Sequence, residues 1–190
     1  MTSYAAPSSS GLSSFHEEEI EQAALAWLEE LGWRPLPGDD LAPDGPTGAR
    51  SDYRETILVP ELRLALQALN PDATPAMIDQ AIRAVLAAPS ADLIENNRAF
   101  YRLLIEGVSV DRQVGGERLT TNLRLIDRDL TLNRLIAANQ FVVQGEKEVI
   151  RPDITLFVNG LPLAVVTLSR LVRTPVRGSR PDGDAPRAPN

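Results

Sequence analysis

Residues 151–169 read RPDITLFVNGLPLAVVTLS. Two apolar segments flank Asn159-Gly160, a dipeptide with a strong preference for two-residue hairpin turns. Asp153 opens the first segment; Thr167 and Ser169 close the second. A hairpin of this kind performs metal-dependent hydrolysis when two carboxylates on neighbouring strands hold a hard divalent cation such as Mg2+. The cation activates water and stabilises charge developing on a phosphate. A lysine two residues beyond the second carboxylate points to the same face and supports the nucleophile. Of that set only Asp153 is present. The Thr167 hydroxyl is a neutral, poor metal ligand, and Ser169 supplies no cation. A lone acid after a proline at a strand start also reads, more simply, as a solvated residue.

The register decides what Asp153 faces. An uninterrupted two-residue loop sets it opposite Val166. A three-residue loop, or a one-residue bulge, sets it opposite Thr167. In the second register Ile154, Leu156 and Val158 share an apolar face with Ala164, Val166 and Leu168. Asp153 then shares the other face with Thr167 and Ser169. The first register mixes these sets. A slip of one residue turns every side chain to the wrong face, so the second register is expected.

Upstream elements must hold this hairpin. Residues 1–14, rich in Ser, Ala and Gly, read as a loose tail. Phe15 to Trp33 reads as a helix with Ile20, Ala24, Trp27, Leu28 and Leu31 on its packed face and Gly32 as its stop. The stretch 35–46 reads as a loop. Helices are expected over 58–69, from Thr74-Pro75 to about Pro89-Ser90, and over 91–106, the last packing Leu93, Ile94, Phe100, Leu103 and Leu104. After Gly107 the period becomes two. Strands are expected over 108–114 and 119–126 around a Gly115-Gly116 turn, and over 140–144 before a turn at 145–148, whereas 132–138 is ambiguous. Helices first and strands after predict an α+β fold with a central mixed sheet and flanking helices.

The 190 residues suffice for one domain with a real core, expected over 15–169. With 43% hydrophobic and 24% charged residues the chain is globular. From Arg170 onward Pro, Arg, Gly and Asp dominate without periodicity, so 170–190 reads as a disordered tail. One account of that abrupt switch is an out-of-frame continuation of a GC-rich gene. No apolar run approaches the ~18 residues of a membrane span. The N-terminus lacks the basic and apolar regions of a secretory signal, so the cytoplasm is the expected location. The absence of cysteine excludes disulfides, thiolate metal sites and a thiol nucleophile. A net charge of −7 offers DNA no general attraction, so a DNA partner has to be delivered by another component.

Six blocks occur in an order that matches a known family: HEEEIEQAALAWLEELGW (16–33), ARSDYRETILVPELRLALQALNP (49–71), LIENNRAFYRLLIEGVSV (93–110), LRLIDRD (123–129), NQFVV (139–143) and RPDITLFVNGLPLAVV (151–166). Through them the chain resembles the N-terminal region of the R (HsdR) subunit of type I restriction-modification enzymes. The resemblance implies a PD-(D/E)xK restriction-endonuclease-like fold at the front of a much larger subunit, hydrolysing DNA phosphodiesters with Mg2+. It also implies helicase-like motor domains downstream and partner subunits for methylation and specificity. By this resemblance Asp153 takes the place of the PD aspartate, Thr167 that of the family glutamate, and Ser169 that of the lysine. Glu21, with Glu18 second, is the candidate for a first-helix glutamate that joins such sites, and Asp153 with Glu21 is the implied metal set. An acidic first turn explains both glutamates equally well.

The departures bear on activity. The motif's Glu and Lys are replaced, and residues 170–190 lack the Gln and Tyr that the family carries on a following helix. No G-x-x-x-x-G-K-[ST] loop occurs, so the chain has no ATP site of the motor type. The expectation is a truncated endonuclease domain with little or no activity. The alternative is a non-catalytic module that docks on, or competes within, the restriction complex. Lys147, the one lysine, reads as a displaced catalytic lysine or a solvated turn residue. His16, the only histidine, reads as a cap or ligand at an acidic helix start or, being solitary, as a surface residue. Arg50, Tyr53 and Arg54 read as a phosphate or partner contact, or as a solvated connection. Arg98 and Arg102, near Asn96 and Asn97 and one helical turn apart, read as a small cationic face or as ordinary helix solvation. Trp27 and Trp33 are expected in the core.

Overall fold

The computed structural model describes residues 9–87 and 92–168, with side chains described except at 9–17, 113 and 114. Its centre is a strand with two small side chains. Leu135–Asn139 (LIAAN) forms β4, and Ala137 and Ala138 let layers approach from opposite faces. β1 (Arg34–Pro37) runs parallel to it, pairing Arg34 with Ile136 and Pro37 with Asn139. On the other side β7 (Ile154–Val158) runs antiparallel, and β8 (Leu161–Val166) completes the order β1-β4-β7-β8. The sheet is mixed and flanked by helices, so the α+β expectation describes the fold.

Helix α1 (Ser9–Glu30) covers one face. Leu25, with Ala24, Leu28 and Trp33, packs on Ala137, Ile154, Leu156, Val166 and Leu168. It stops in a Schellman arrangement: Trp33 N–H donates to Leu28 C=O (3.0 Å) and Gly32 N–H to Glu29 C=O (2.9 Å). Gly32 sits at φ +91°, which only glycine adopts without strain. On the other face Leu41, Ala49, Leu58 and Phe141 pack on Ile136, Ala138 and Phe157. The two phenylalanines meet edge to face at 5.0 Å.

A second core adjoins this one through Leu62, Leu66 and Leu161. It is built from α2 (Val59–Leu69), α3 (Pro75–Leu86) and the ribbon β2 (Val108–Val114) and β3 (Glu117–Leu123), which forms its own two-stranded sheet. Thr74 caps α3, its hydroxyl accepting Met77 N–H at 3.4 Å. Helix α4 (Leu93–Glu106), capped by Asp92, lays Phe100, Leu103 and Leu104 against this core. The short pair β5 (Val143–Gln144) and β6 (Val149–Ile150) closes a small hairpin.

Several expectations are corrected. α1 begins at Ser9, so the loose tail expected through residue 14 is helical from there; residues 1–8 lie outside the described part, as do the tail at 170–190 and the Pro89-Ser90 stop. The stretch 35–46 opens with a strand, because Pro35 and Pro37 are tolerated on an edge that pairs on one side only. β3 ends at Leu123, short of the expected 126. The strand expected over 140–144 is cut at Gln140 (φ +55°) and survives only as Val143–Gln144, whereas the ambiguous 132–138 supplies β4. Of the face expected to pack, Ala24 and Leu28 do, but Trp27 is 68% exposed rather than core and Ile20 and Leu31 are exposed too, because α1 turns Leu25 inward. Leu93 and Ile94 are exposed as well, since only the far side of α4 meets the second core.

Candidate functional site

The β7–β8 hairpin turns through Asn159 (φ +55°) and Gly160 (φ +78°), a two-residue loop with both residues left-handed, as a type I′ turn requires. Two contacts fix it from outside. Asn159 is fully buried; its Oδ1 accepts Arg134 N–H (2.8 Å), and its Nδ2 donates to Leu125 C=O and Asn133 Oδ1 (2.8 Å each). Gly160 lies so close to α2 that a Cβ there would stand 2.4 Å from Leu58 O.

Val158 pairs with Leu161 and Phe157 with Pro162; the register then shifts, so that Leu156 pairs with Ala164 and Ile154 with Val166. Leu163 is the extra residue of a β-bulge. One residue further, the same register sets Asp153 against Thr167, as the apolar pattern demanded. Asp153 is half-buried and Thr167 exposed. The Asp153 Oδ2 accepts Leu168 N–H at 2.6 Å, and its backbone carbonyl accepts Gln140 N–H at 2.9 Å. The carboxylate thus closes the open end of the hairpin.

Glu21 reaches the same end of the sheet from α1. Asn139 Nδ2 donates to its Oε1 (2.8 Å) and Gln140 Nε2 to its Oε2 (2.6 Å). Gln140 therefore touches both acids, Glu21 through its side chain and Asp153 through its backbone. Nothing in the sequence marks this amide pair, since Asn139-Gln140 reads only as the edge of a strand. Glu18 is exposed on α1. Lys147 is exposed in the turn joining β5 to β6. His16 falls within α1, its side chain outside the described part, and Ser169 also lies outside the described residues.

Among the described residues the donor set for Mg2+ is incomplete. That ion takes six oxygens in near-octahedral geometry and is anchored by carboxylates. Here Asp153 faces the Thr167 hydroxyl where a second strand carboxylate would complete the set, and an amide N–H holds each Glu21 oxygen. Among the described residues no three His, Asp or Glu side chains cluster as a metal site requires.

Arg50 is neither a phosphate contact nor a solvated residue. It is 5% exposed; Nε donates to Leu41 C=O (2.7 Å) and Nη1 to Val142 C=O (2.7 Å), while the guanidinium packs on the Phe141 ring at 4.0 Å. Burial pulls its pKa down, opposed by Tyr53 and Glu55. It staples the 41–55 loop to the segment after β4. Glu61, at the start of α2, holds Arg34 (2.8 Å) and Arg134 (2.6 Å). Burial pushes its pKa up, but the Arg134 and Arg34 guanidiniums outweigh burial and hold it below the ordinary value.

Comparison with known proteins gives this geometry a family. The family described as "Type I restriction enzyme R protein N terminus" matches residues 14–169. The chain is 36% identical over 160 residues to the "Type I restriction enzyme HindI endonuclease subunit" of Haemophilus influenzae, covering 83% of this chain and 15% of that protein. It is 31% identical over 150 residues to the "Putative type I restriction enzyme MjaIXP endonuclease subunit" of Methanocaldococcus jannaschii, covering 77% of this chain and 14% of that protein. The chain thus spans about 15% of the length of the curated relatives it matches. It belongs to the family of type I restriction enzyme R-protein N-terminal regions.

Proposed function

We propose that this chain keeps the scaffold of the PD-(D/E)xK endonuclease domain of a type I restriction enzyme R subunit and does not cut DNA by itself. One observation carries the reading: the acid at the head of the hairpin, Asp153, faces Thr167 and is engaged with Leu168 N–H. The hydrolysis expected of the family needs a carboxylate at 167 and a cation at 169, and this sequence has Thr and Ser there. With Asp153 and Glu21 as its candidate ligands, the site lacks the second strand carboxylate and the lysine on which the family's metal-assisted hydrolysis relies. A plasmid-nicking assay with Mg2+ or Mn2+ tests the reading. No nicking above the protein-free control is expected; robust cutting that Asp153→Ala abolishes would refute it.

A second reading has its own observation. Helix α4 leaves Ile94, Tyr101 and Ile105 exposed beside Arg98 and Arg102. Faces of this composition suit protein interfaces, where Tyr and Arg are enriched. On this reading the chain docks on the methylation or specificity subunits of a DNA-bound restriction complex, or competes there with an intact R subunit. Pull-down with those subunits and an effect on restriction in cells are expected; neither effect would be seen if the reading is wrong. Such a complex works on cytoplasmic DNA. Among the described residues no helix is long and apolar enough to cross a membrane.

A further inference from the structure

β8 is the outermost strand of the central sheet, and its far side has no neighbouring strand among the described residues. The bonds on its near side fix which backbone groups that edge offers. Asp153 C=O accepts Gln140 N–H, so the Asp153 backbone is directed at β4 and that of Ile154 at β8. Ile154 pairs with Val166, and Leu156 with Ala164. The N–H and C=O of Ala164 and Val166 therefore point at β7. Leu168 N–H, two residues on, points the same way and reaches Asp153 Oδ2. Val165 and Thr167 turn their N–H and C=O outward. Both residues are exposed, Val165 at 62%.

Native sheet edges are shielded by charge, proline or a bulge. β1, at the opposite edge, carries Arg34, Pro35 and Pro37. The ribbon strands β2 and β3 carry Asp111, Arg112, Glu117 and Arg118. β5 and β6 are too short to template another strand. In β8, Pro162 and the bulge at Leu163 shield only the turn end. From Ala164 to Leu168 the sequence AVVTL holds neither charge nor proline. An edge like this recognises an extended strand through its backbone. Among the described edge strands, β8 itself is the one whose open side meets that requirement without a charge or a missing N–H in the way.

We propose that β8 of one copy pairs antiparallel with β8 of a second copy about a two-fold axis at Val166. Val165 of each copy then faces Thr167 of the other, and each such pair exchanges both backbone hydrogen bonds. An axis at Val165 would instead set Thr167 against the bulged Leu163, which breaks the ladder. With the axis at Val166, that residue meets its own copy on the face that packs on α1, and Val165 lies against Thr167 on the other face. No charge meets a like charge across the seam. Chains of net charge −7 repel at long range, so an uncharged strand is where two copies approach at least cost. The contact is isologous and closes on itself, so assembly stops at a dimer with one continuous sheet. Neither the candidate metal ligands nor the α4 face takes part, so its failure is distinct from failure of either functional reading.

Sedimentation velocity on the full chain, from low to high micromolar concentration, tests this. The average mass should rise from that of one chain toward that of two and stop there. Val165→Pro removes an outward N–H and leaves the β7 ladder intact, so it should weaken association about tenfold or more. Circular dichroism checks that this variant folds. Crosslinking is a second readout, because the chain has no cysteine. Val166→Cys puts the two sulfurs on a non-hydrogen-bonded pair with Cα atoms about 4.5 Å apart, within disulfide range. Val165→Cys puts them on a diagonal of roughly 7–8 Å, beyond that range. Under mild oxidation Val166→Cys should form a covalent dimer and Val165→Cys should not, although Val165 is the more exposed of the two. A chain monomeric throughout, a mass that climbs past two chains, a folded Val165→Pro protein that associates like the parent, or Val165→Cys linking as readily as Val166→Cys would each overturn the proposal.

Discussion

Replacing Asp153 separates a structural acid from a catalytic one, because the two roles predict stability changes of opposite sign. In this chain the carboxylate accepts Leu168 N–H at 2.6 Å across the open end of the hairpin. A hydrogen bond to a charged group contributes roughly 1.5–3 kcal/mol. Asp153 is half-buried at a strand end, so solvent screening brings the expected cost of Asp153→Ala to about 1–2 kcal/mol. For a chain of this size that lowers Tm by about 3–8 °C. Asp153→Asn keeps an acceptor in the same place, but a neutral bond is about half as strong, so a loss of about 0.5–1 kcal/mol is expected. Urea denaturation followed by circular dichroism reads both values, with an unchanged slope as the check that the compactness of the unfolded state has not altered. Acids retained for catalysis are commonly held at a cost to stability. An Asp153→Ala protein as stable as the parent, or more stable, would therefore refute the structural role.

Three further perturbations probe the frame around it. Asn159→Ala leaves Arg134 N–H and Leu125 C=O buried without partners and places alanine at φ +55°, so a loss of about 3–5 kcal/mol is expected by urea denaturation, and a loss under about 1 kcal/mol would contradict the anchoring role. Glu61→Gln should cost about 1 kcal/mol, since both arginine partners are substantially exposed. The Glu61 pKa is held below 4.5, so its contribution is fully present above that pH and is lost as pH falls through the lowered value; a parent-minus-variant difference that stays constant down to about pH 3 would be inconsistent with this. Thr167→Glu sets a second carboxylate against Asp153, so a loss of up to about 1 kcal/mol in chelator, recovered on adding Mn2+, is expected by thermal unfolding, and a metal-independent Tm would argue against the register.

The hairpin was legible because local and long-range signals agree there. Asn159-Gly160 gives the turn, and the apolar alternation of Ile154, Leu156, Ala164 and Val166 admits only the bulged register. Caps were legible for the same reason, as at Thr74 and Gly32. What the sequence hides depends on distant partners. Arg50 reads as a solvated loop residue, yet one of its acceptors is Val142, 92 residues away. Pro35 and Pro37 read as loop until β4 supplies a single-sided partner. Trp27 reads as core because helical periodicity finds an apolar stripe without saying which of two adjacent stripes the sheet will cover, and α1 turns Leu25 inward. At the site, Asp153 and Glu21 were visible as acids, but the Asn139-Gln140 amides that hold Glu21 belong to a strand end fixed only by pairing with β7.

Titration of the full chain with Mn2+, followed by the ion's electron paramagnetic resonance, weighs most directly on whether the hairpin still grips a metal. One carboxylate across from a hydroxyl predicts only weak, millimolar-range uptake that Asp153→Ala leaves unchanged. Micromolar binding at a single site, lost when Asp153 is replaced, would contradict the account.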